Sequence, residues 1–286
     1  MRALLAVDGS DQSYEAARAL AQLSQAEQLI LLHVLDVPTP MYPTVMPEVA
    51  RDLYVTVERG MREDGERLLK RISSILPSNT GPVSKRLEIG KPTDLILTIA
   101  ANERVDLIVV GSRGIGSVRE LTLGSVSHQV VTHAPCPTLV VGTPMRAVRK
   151  MMLAVEGPEE ADAALRFFAK RPLREPGEAT VLTVIPYADP AWPVGAMIPE
   201  SLRKEMQAHA GRFVDDVASR LSAVGFRATG TVMLGAPASE ILKEAVKSQV
   251  DLIVMSSRRR GVSRLVLGSV SHTVLHRAPC PVLIFR

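Results

Sequence analysis

Val105-Asp-Leu-Ile-Val-Val-Gly111-Ser-Arg-Gly114 passes from an apolar run into two glycines three residues apart, and nine residues later Gly124-Ser125 opens a helical stretch. A short, continuous apolar run closed by glycine reads as a strand buried on both faces, as in a parallel sheet. Missing Cβ atoms permit close backbone approach, and a Gly-Ser helix start leaves N–H groups free to face a phosphate chain. The stretch recurs as Val250-Asp-Leu-Ile-Val-Met-Ser256-Ser-Arg-Arg259, and Gly124 to Pro137 recurs as Gly268 to Pro281. The chain is therefore a duplication, with expected domains at residues 1–142 and 149–286. The basic stretch Gly142 to Lys150 links them, short enough to hold the halves side by side.

Composition agrees with two soluble domains. The 286 residues allow each half its own core. With 46% hydrophobic, 22% charged and only 3% aromatic residues, that core is aliphatic. A net charge of +4 without a Lys/Arg tract weighs against nucleic acid and suits a modest anionic ligand. Ala3 to Val7 is too short an apolar run for a signal peptide, and no stretch is long enough to span a membrane, so the expected location is cytoplasmic. Cys136 and Cys280 occupy equivalent Ala-Pro-Cys-Pro positions, which reads as a small core residue in each half rather than a disulfide or redox pair.

Apolar runs alternate with amphipathic stretches throughout, the pattern of an α/β fold with helices on both faces of a parallel sheet. In the first half the expected strands are 3–7, 29–34, 84–89, 106–110 and 138–141, and the helices 12–24, 48–76, 93–102 and 125–133. In the second half the strands are expected at 151–155, 180–184, 229–234, 251–255 and 282–285. Ligands of such sheets lie beyond the C-terminal strand ends. Asp8, Val34 and Gly111 to Gly114 all fall there, with Gly124 and Ser125 capping the next helix, whose dipole favours anionic oxygens. Asp8 is placed to accept hydrogen bonds from ribose hydroxyls or an adenine amino group.

The spacing of Gly111, Gly114, Gly124 and Ser125 resembles that of the nucleotide-binding universal stress proteins. Over essentially the whole chain the sequence is similar to tandem members of that family. The resemblance implies two open five-stranded parallel sheets of order 3-2-1-4-5, of the adenine nucleotide α-hydrolase-like class. It also implies ATP with Mg²⁺, held by Asp8, the backbone at Val34 and the phosphate loop. Val7, Val110, Ser112, Arg113 and Val126 flank these positions and are expected to contact the nucleotide. In the family the last strand pairs domains, so Val141 and Phe285 mark strands expected to pair within the chain, with a homodimer and an unidentified protein partner as further expectations.

The second half departs from the pattern, with Glu156 for Asp8, Ser256 for Gly111 and Arg259 for Gly114; only Gly268 and Ser269 remain. One competent site, in the first half, is therefore expected. Arg258-Arg259-Arg260 reads as a solvated loop or an anion contact. His272 and His276 stand four apart, as one edge of a metal site would, although surface or packing roles suit them better. His128 and His272 are equivalent in the two halves, which points to fold or domain contact. The proline-rich segments 37–47 and 186–199, with Met, Tyr and Trp, read equally as lids or partner surfaces and as long connections.

The leading reading is an ATP-binding stress-response regulator. No catalytic residue emerges: there is no Gly-x-x-x-x-Gly-Lys-Ser/Thr loop and no lysine between Gly111 and Ser125, so at most weak ATP hydrolysis is expected. An adenylate-transferring enzyme would carry Ser-Gly-Gly-x-Asp-Ser after the first strand, where this chain has Asp8-Gly-Ser-Asp-Gln-Ser13. A nucleotide-independent scaffold is the remaining alternative.

Overall fold

The computed structural model describes residues 1–38, 47–114, 123–186, 199–257 and 267–285. Most of both proline-rich segments, and Arg258 to Arg260, lie outside them. The first half runs β1 (Arg2–Val7), α1 (Asp11–Ala19), β2 (Gln28–Leu35), α2 (Pro47–Ile75), β3 (Val83–Ile89), α3 (Pro92–Asn102), β4 (Leu107–Gly111), α4 (Ser125–His133) and β5 (Thr138–Val141). The second half runs β6 (Lys150–Ala154), α5 (Pro158–Phe168), β7 (Glu178–Ile185), α6 (Glu200–Ser222), β8 (Arg227–Leu234), α7 (Pro237–Lys247), β9 (Leu252–Ser256), α8 (Ser269–Arg277) and β10 (Val282–Phe285). The helix expected over 12–24 stops at Ala19 and tightens into a 3-10 turn, Leu20–Gln22. Pro92, Pro158 and Pro237 each open a helix, where their missing N–H costs nothing and their fixed φ suits the first turn.

Each half has the expected strand order 3-2-1-4-5, but the halves do not form two separate sheets. All ten strands make one sheet, β3-β2-β1-β4-β5-β10-β9-β6-β7-β8. Pairs within each half are parallel, and β5 pairs with β10 antiparallel in the register Val140↔Val282, Leu139↔Leu283 and Thr138↔Ile284. An antiparallel joint between equivalent strands gives a pseudo-twofold axis and removes one exposed edge from each half.

Strand side chains alternate between two apolar layers. Leu5, Leu29 and Leu31 face one layer with Leu68, Ile72 and Phe168, while Leu4, Ile30 and Leu32 face the other with Ile96, Val130 and Val274. Burial of each such side chain contributes about 1.5–3 kcal/mol, which accounts for the unbroken hydrophobic runs of the central strands. Phe168, fully buried on α5, stands edge-on to Phe226 at 5.3 Å between ring centroids and near Phe285 of β10 at 6.3 Å, tying the second half's core to the joint.

Side chains reinforce that joint. Ser24 Oγ donates to the carbonyls of Arg171 (2.6 Å) and Leu173 (3.0 Å). Lys170 Nζ donates to Asp106 Oδ1 at 2.6 Å, and Asp106 Oδ2 accepts the Arg2 N–H at 2.8 Å. Burial alone would raise the Asp106 pKa, but these bonds outweigh it and hold the carboxyl below its ordinary value. Near the pseudo-axis His128 of α4 meets its equivalent, His272 of α8, at 5.8 Å, and His276 stacks 4.3 Å from His272. Thus the histidine pair makes a contact between the halves, and no group of three or more His, Cys, Asp or Glu among the described residues is arranged to hold a metal ion.

Desolvation, then the neighbouring histidines, hold both His128 and His272 below the ordinary histidine pKa. With depressed folded values, the unfolded chain binds more protons, so their contribution is complete above about pH 6.5 and is lost as the pH falls through the folded values. The urea midpoint is expected to fall between about pH 7.5 and about pH 5.5, and the His128→Gln/His272→Gln chain to show a flatter profile. An equal slope in the variant would place the titrating groups elsewhere.

Candidate functional site

The order of strands reverses at β1, whose chain leaves towards β2 on one side while β4 returns on the other. Strand lengths open a crevice there. β1 ends at Val7, opposite His33, whereas β2 continues to Leu35 paired with β3 alone. Val34 therefore extends past its β1 neighbour. His33 Nδ1 lies 2.7 Å from the Val7 carbonyl and braces the strand end.

A cavity of about 500 Å³ fills this crevice. Of the residues expected from sequence, Val7, Asp8, Val34, Val110, Gly111, Arg113, Gly114, Gly124, Ser125 and Val126 all line it. Ser112 does not. Its side chain is buried towards Gly142, where an added Cβ would lie 3.1 Å from Ser112 Oγ. Ser112 acts through its backbone: its N–H donates to Val141 O at 2.9 Å, and its carbonyl accepts the Gly124 N–H at 2.8 Å, closing the glycine loop. Sequence reading missed Ala6, Ser13, Leu32, Pro92, Ile96, Leu123 and Ser127, which also line the cavity. Most of these are apolar or small, and in sequence a cavity wall carries the same signature as a core.

The two leading glycines serve different ends. A Cβ on Gly111 would sit 2.9 Å from the Gln12 backbone carbon and 3.0 Å from Ser13 N, so its absence lets the first turn of α1 rest on the end of β4. The Ser127 hydroxyl donates to the Gly111 carbonyl at 2.6 Å and ties α4 to the same point. A Cβ on Gly114 would instead approach Asp8 Oδ2 to 2.5 Å. Gly114 thus keeps the loop backbone directly against the carboxylate inside the cavity.

Asp8 is positioned by the helix entry. Its Oδ1 accepts from the Ser10 N–H at 3.0 Å and from the Ser10 hydroxyl at 2.6 Å, and Ser10 is also the N-cap of α1. The same hydroxyl lies 3.1 Å from the Arg113 carbonyl, joining the β1 turn to the glycine loop. At the far side Gly124 is the N-cap of α4 and offers no side-chain cap, so the N–H groups of Ser125, Val126 and Ser127 lack intrahelical acceptors at the cavity lining. Apolar walls, one carboxylate, one arginine and a helix N-terminus suit a ligand with a flat apolar part, hydroxyl donors and an anionic tail.

Neither cysteine adds reactivity. Both are free, and burial pushes each thiol up to about 12. No described helix is long and apolar enough to cross a membrane.

The universal stress protein family model matches residues 1–142 and again 147–286, and the chain belongs to that family as a tandem member. A universal stress protein of Mycolicibacterium smegmatis is 25% identical over 303 residues, covering 99% of this chain and 96% of its own. One from Thermus aquaticus is 36% identical over 141 residues, 48% of this chain and 96% of its own. Among solved structures, a universal stress protein from Archaeoglobus fulgidus superposes with a TM-score of 0.66 at 21% identity, covering 100% of this chain and 98% of its own.

Because α1 rests on Gly111, Gly111→Ala is expected to lower stability by about 1–3 kcal/mol, read from the urea midpoint. An unchanged midpoint would mean that α1 can withdraw from β4 at no cost.

Proposed function

We propose that the first half binds ATP and that the protein is a nucleotide-dependent regulator of the stress response. The observation that carries this reading is the contact of Gly114 with the Asp8 carboxylate, a cradle that any side chain would fill. Val7, Val34, Val110 and the apolar wall would enclose adenine; Asp8 would accept from the ribose or the base. Gly114, Arg113 and the N–H groups of Ser125 and Val126 would hold the phosphates. Mg²⁺ would enter with the nucleotide, partly neutralising the phosphate oxygens.

Binding, rather than turnover, is the activity these residues support. The charged side chains lining the cavity, among the described residues, are Asp8 and Arg113. Asp8 is already held by Ser10 and serves as an orienting acceptor. The two domains proposed, 1–142 and 149–286, would then divide their work, with nucleotide bound by the first.

Calorimetric titration with Mg-ATP tests the reading. One equivalent is expected for the native chain, and Gly114→Arg, the residue type found at position 259, should abolish it. Asp8→Ala should weaken binding by roughly tenfold or more, the loss of a charge-assisted hydrogen bond. Failure of the native chain to bind would leave a nucleotide-independent interaction scaffold as the better account.

A further inference from the structure

The N-terminus of α4 forms one wall of the first cavity, yet it has no side-chain cap. Hydrogen bonds from the two residues before the helix hold it instead. The Gly124 N–H donates to the Ser112 carbonyl at 2.8 Å, within the first half. The Leu123 N–H donates across the joint to Nδ1 of His276, in the last turn of α8, at 3.2 Å. Nδ1 can accept only in a neutral ring whose hydrogen is on Nε2, so this bond selects one tautomer of His276.

Leu123 passes the anchorage on to the glycine loop. Gly124 lies against the turn at Arg113: a Cβ added to it would sit 3.4 Å from the Arg113 Cα and 3.4 Å from the Gly114 N. Leu123 and Arg113 line the first cavity and also a hollow of about 210 Å³ behind it, to which the second half contributes Leu275, His276 and Arg277. A hollow supplies no van der Waals support, so more of the contact falls on the directed bond to His276. The His276 ring is itself steadied by His272, 4.3 Å away between centroids.

Support by this route runs one way. The second half has a smaller cavity at its own strand ends, about 300 Å³, with Leu182, Ile241 and Met255 in its wall. The residue equivalent to His276 in the first half is Thr132, and its hydroxyl donates within α4.

We propose that His276 of the second half is a positioning residue for the ligand site of the first: by holding Leu123 it fixes the start of α4 and the glycine loop facing it. The half with the altered glycine pattern is then a built-in partner of the other. Displacing α8 changes binding in a cavity to which the second half, among the described residues, contributes no lining side chain. By linkage, a ligand that orders the start of α4 must in turn tighten the joint. The choice of ATP as the ligand rests on the reading of the first cavity given above; the hold of His276 on α4 does not.

Two variants of the full chain separate the acceptor from the ring. His276→Phe keeps a ring beside His272 but has no acceptor, whereas His276→Asn loses the ring and places an amide oxygen as far along the side chain as Nδ1. Amide hydrogen exchange is read without ligand at Leu123, Gly124 and His128, whose N–H makes the first bond of α4, to the Gly124 carbonyl at 2.9 Å. Exchange there is expected to be about three- to tenfold faster in His276→Phe and close to native in His276→Asn. The Mg-ATP dissociation constant from calorimetry should rise by about the same factor in His276→Phe and recover in His276→Asn. The proposal is overturned if His276→Phe leaves exchange or affinity at the native value. It is overturned equally if His276→Asn behaves as His276→Phe does, since ring packing and not the acceptor would then be the source. Lost protection in β5 and β10 of either variant also overturns it, because His276 would then hold the joint rather than the site. Absence of ATP binding in the native chain would instead strike the first-half reading, and the exchange comparison would still decide whether His276 holds the start of α4.

Discussion

The antiparallel joint of β5 with β10 determines the arrangement of everything else. Strands within each half are parallel, so reversing direction at this one place sends the C-terminal edges of the two halves to opposite ends of a single sheet. Parallel α/β sheets bind ligands at those edges. The two cavities therefore open at opposite ends, and neither can share a glycine loop with the other. The joint also brings the start of α4, beside the first cavity, to the end of α8. There the Leu123 N–H, on a cavity-lining residue, donates to His276 Nδ1 at 3.2 Å. The corresponding position in the other direction carries Thr132, whose hydroxyl turns back to the His128 carbonyl at 2.7 Å. The pseudo-symmetry is thus broken at the contact as well as in the cavities.

Much of the architecture was legible because burial on both faces leaves a plain mark. Ala3 to Val7, Leu29 to Val34 and Thr138 to Val141 are apolar almost without interruption, and their strands fall within a residue of expectation. The continuous ten-stranded sheet was less legible. Pairing of Val141's strand with Phe285's was an expectation from the resemblance, yet short apolar strands at the end of a domain look alike whether they pair within a chain, pair between chains or stay at an edge. The 3-10 turn at Leu20–Gln22 left no signal either, since its helical spacing continues that of α1. Its cause is tertiary: Leu23 must leave the helix to bridge to Leu173 in the other half.

At the site, polar and glycine positions were readable and walls were not. Asp8, Gly114 and Gly124 stand out because an unusual residue type interrupts an apolar pattern. Ala6, Leu32 and Ile96 cannot be separated from core residues, since the sequence records that a side chain is shielded from water but not by what. Ser112 illustrates the converse. It sits between Gly111 and Gly114, but the alternation of an extended chain turns its side chain to the opposite side from Gly111, and its contribution lies in its backbone N–H and carbonyl.

Gly111 shows why the two halves could diverge without losing their fold. Its missing Cβ serves helix packing, so the serine at the equivalent position 256 must be accommodated by the seating of α5 rather than by the ligand loop alone. The apolar walls of the second cavity belong at the same time to the core layer that holds Ile96, Val130 and Val274: Ile241 and Met255 are only 4% and 5% exposed, and Leu182 is fully buried. Removing them would cost core stability at each position, about 2–5 kcal/mol for a large aliphatic truncated to alanine. Selection for stability alone therefore retains the apolar walls of the second cavity, whatever happens at its polar end.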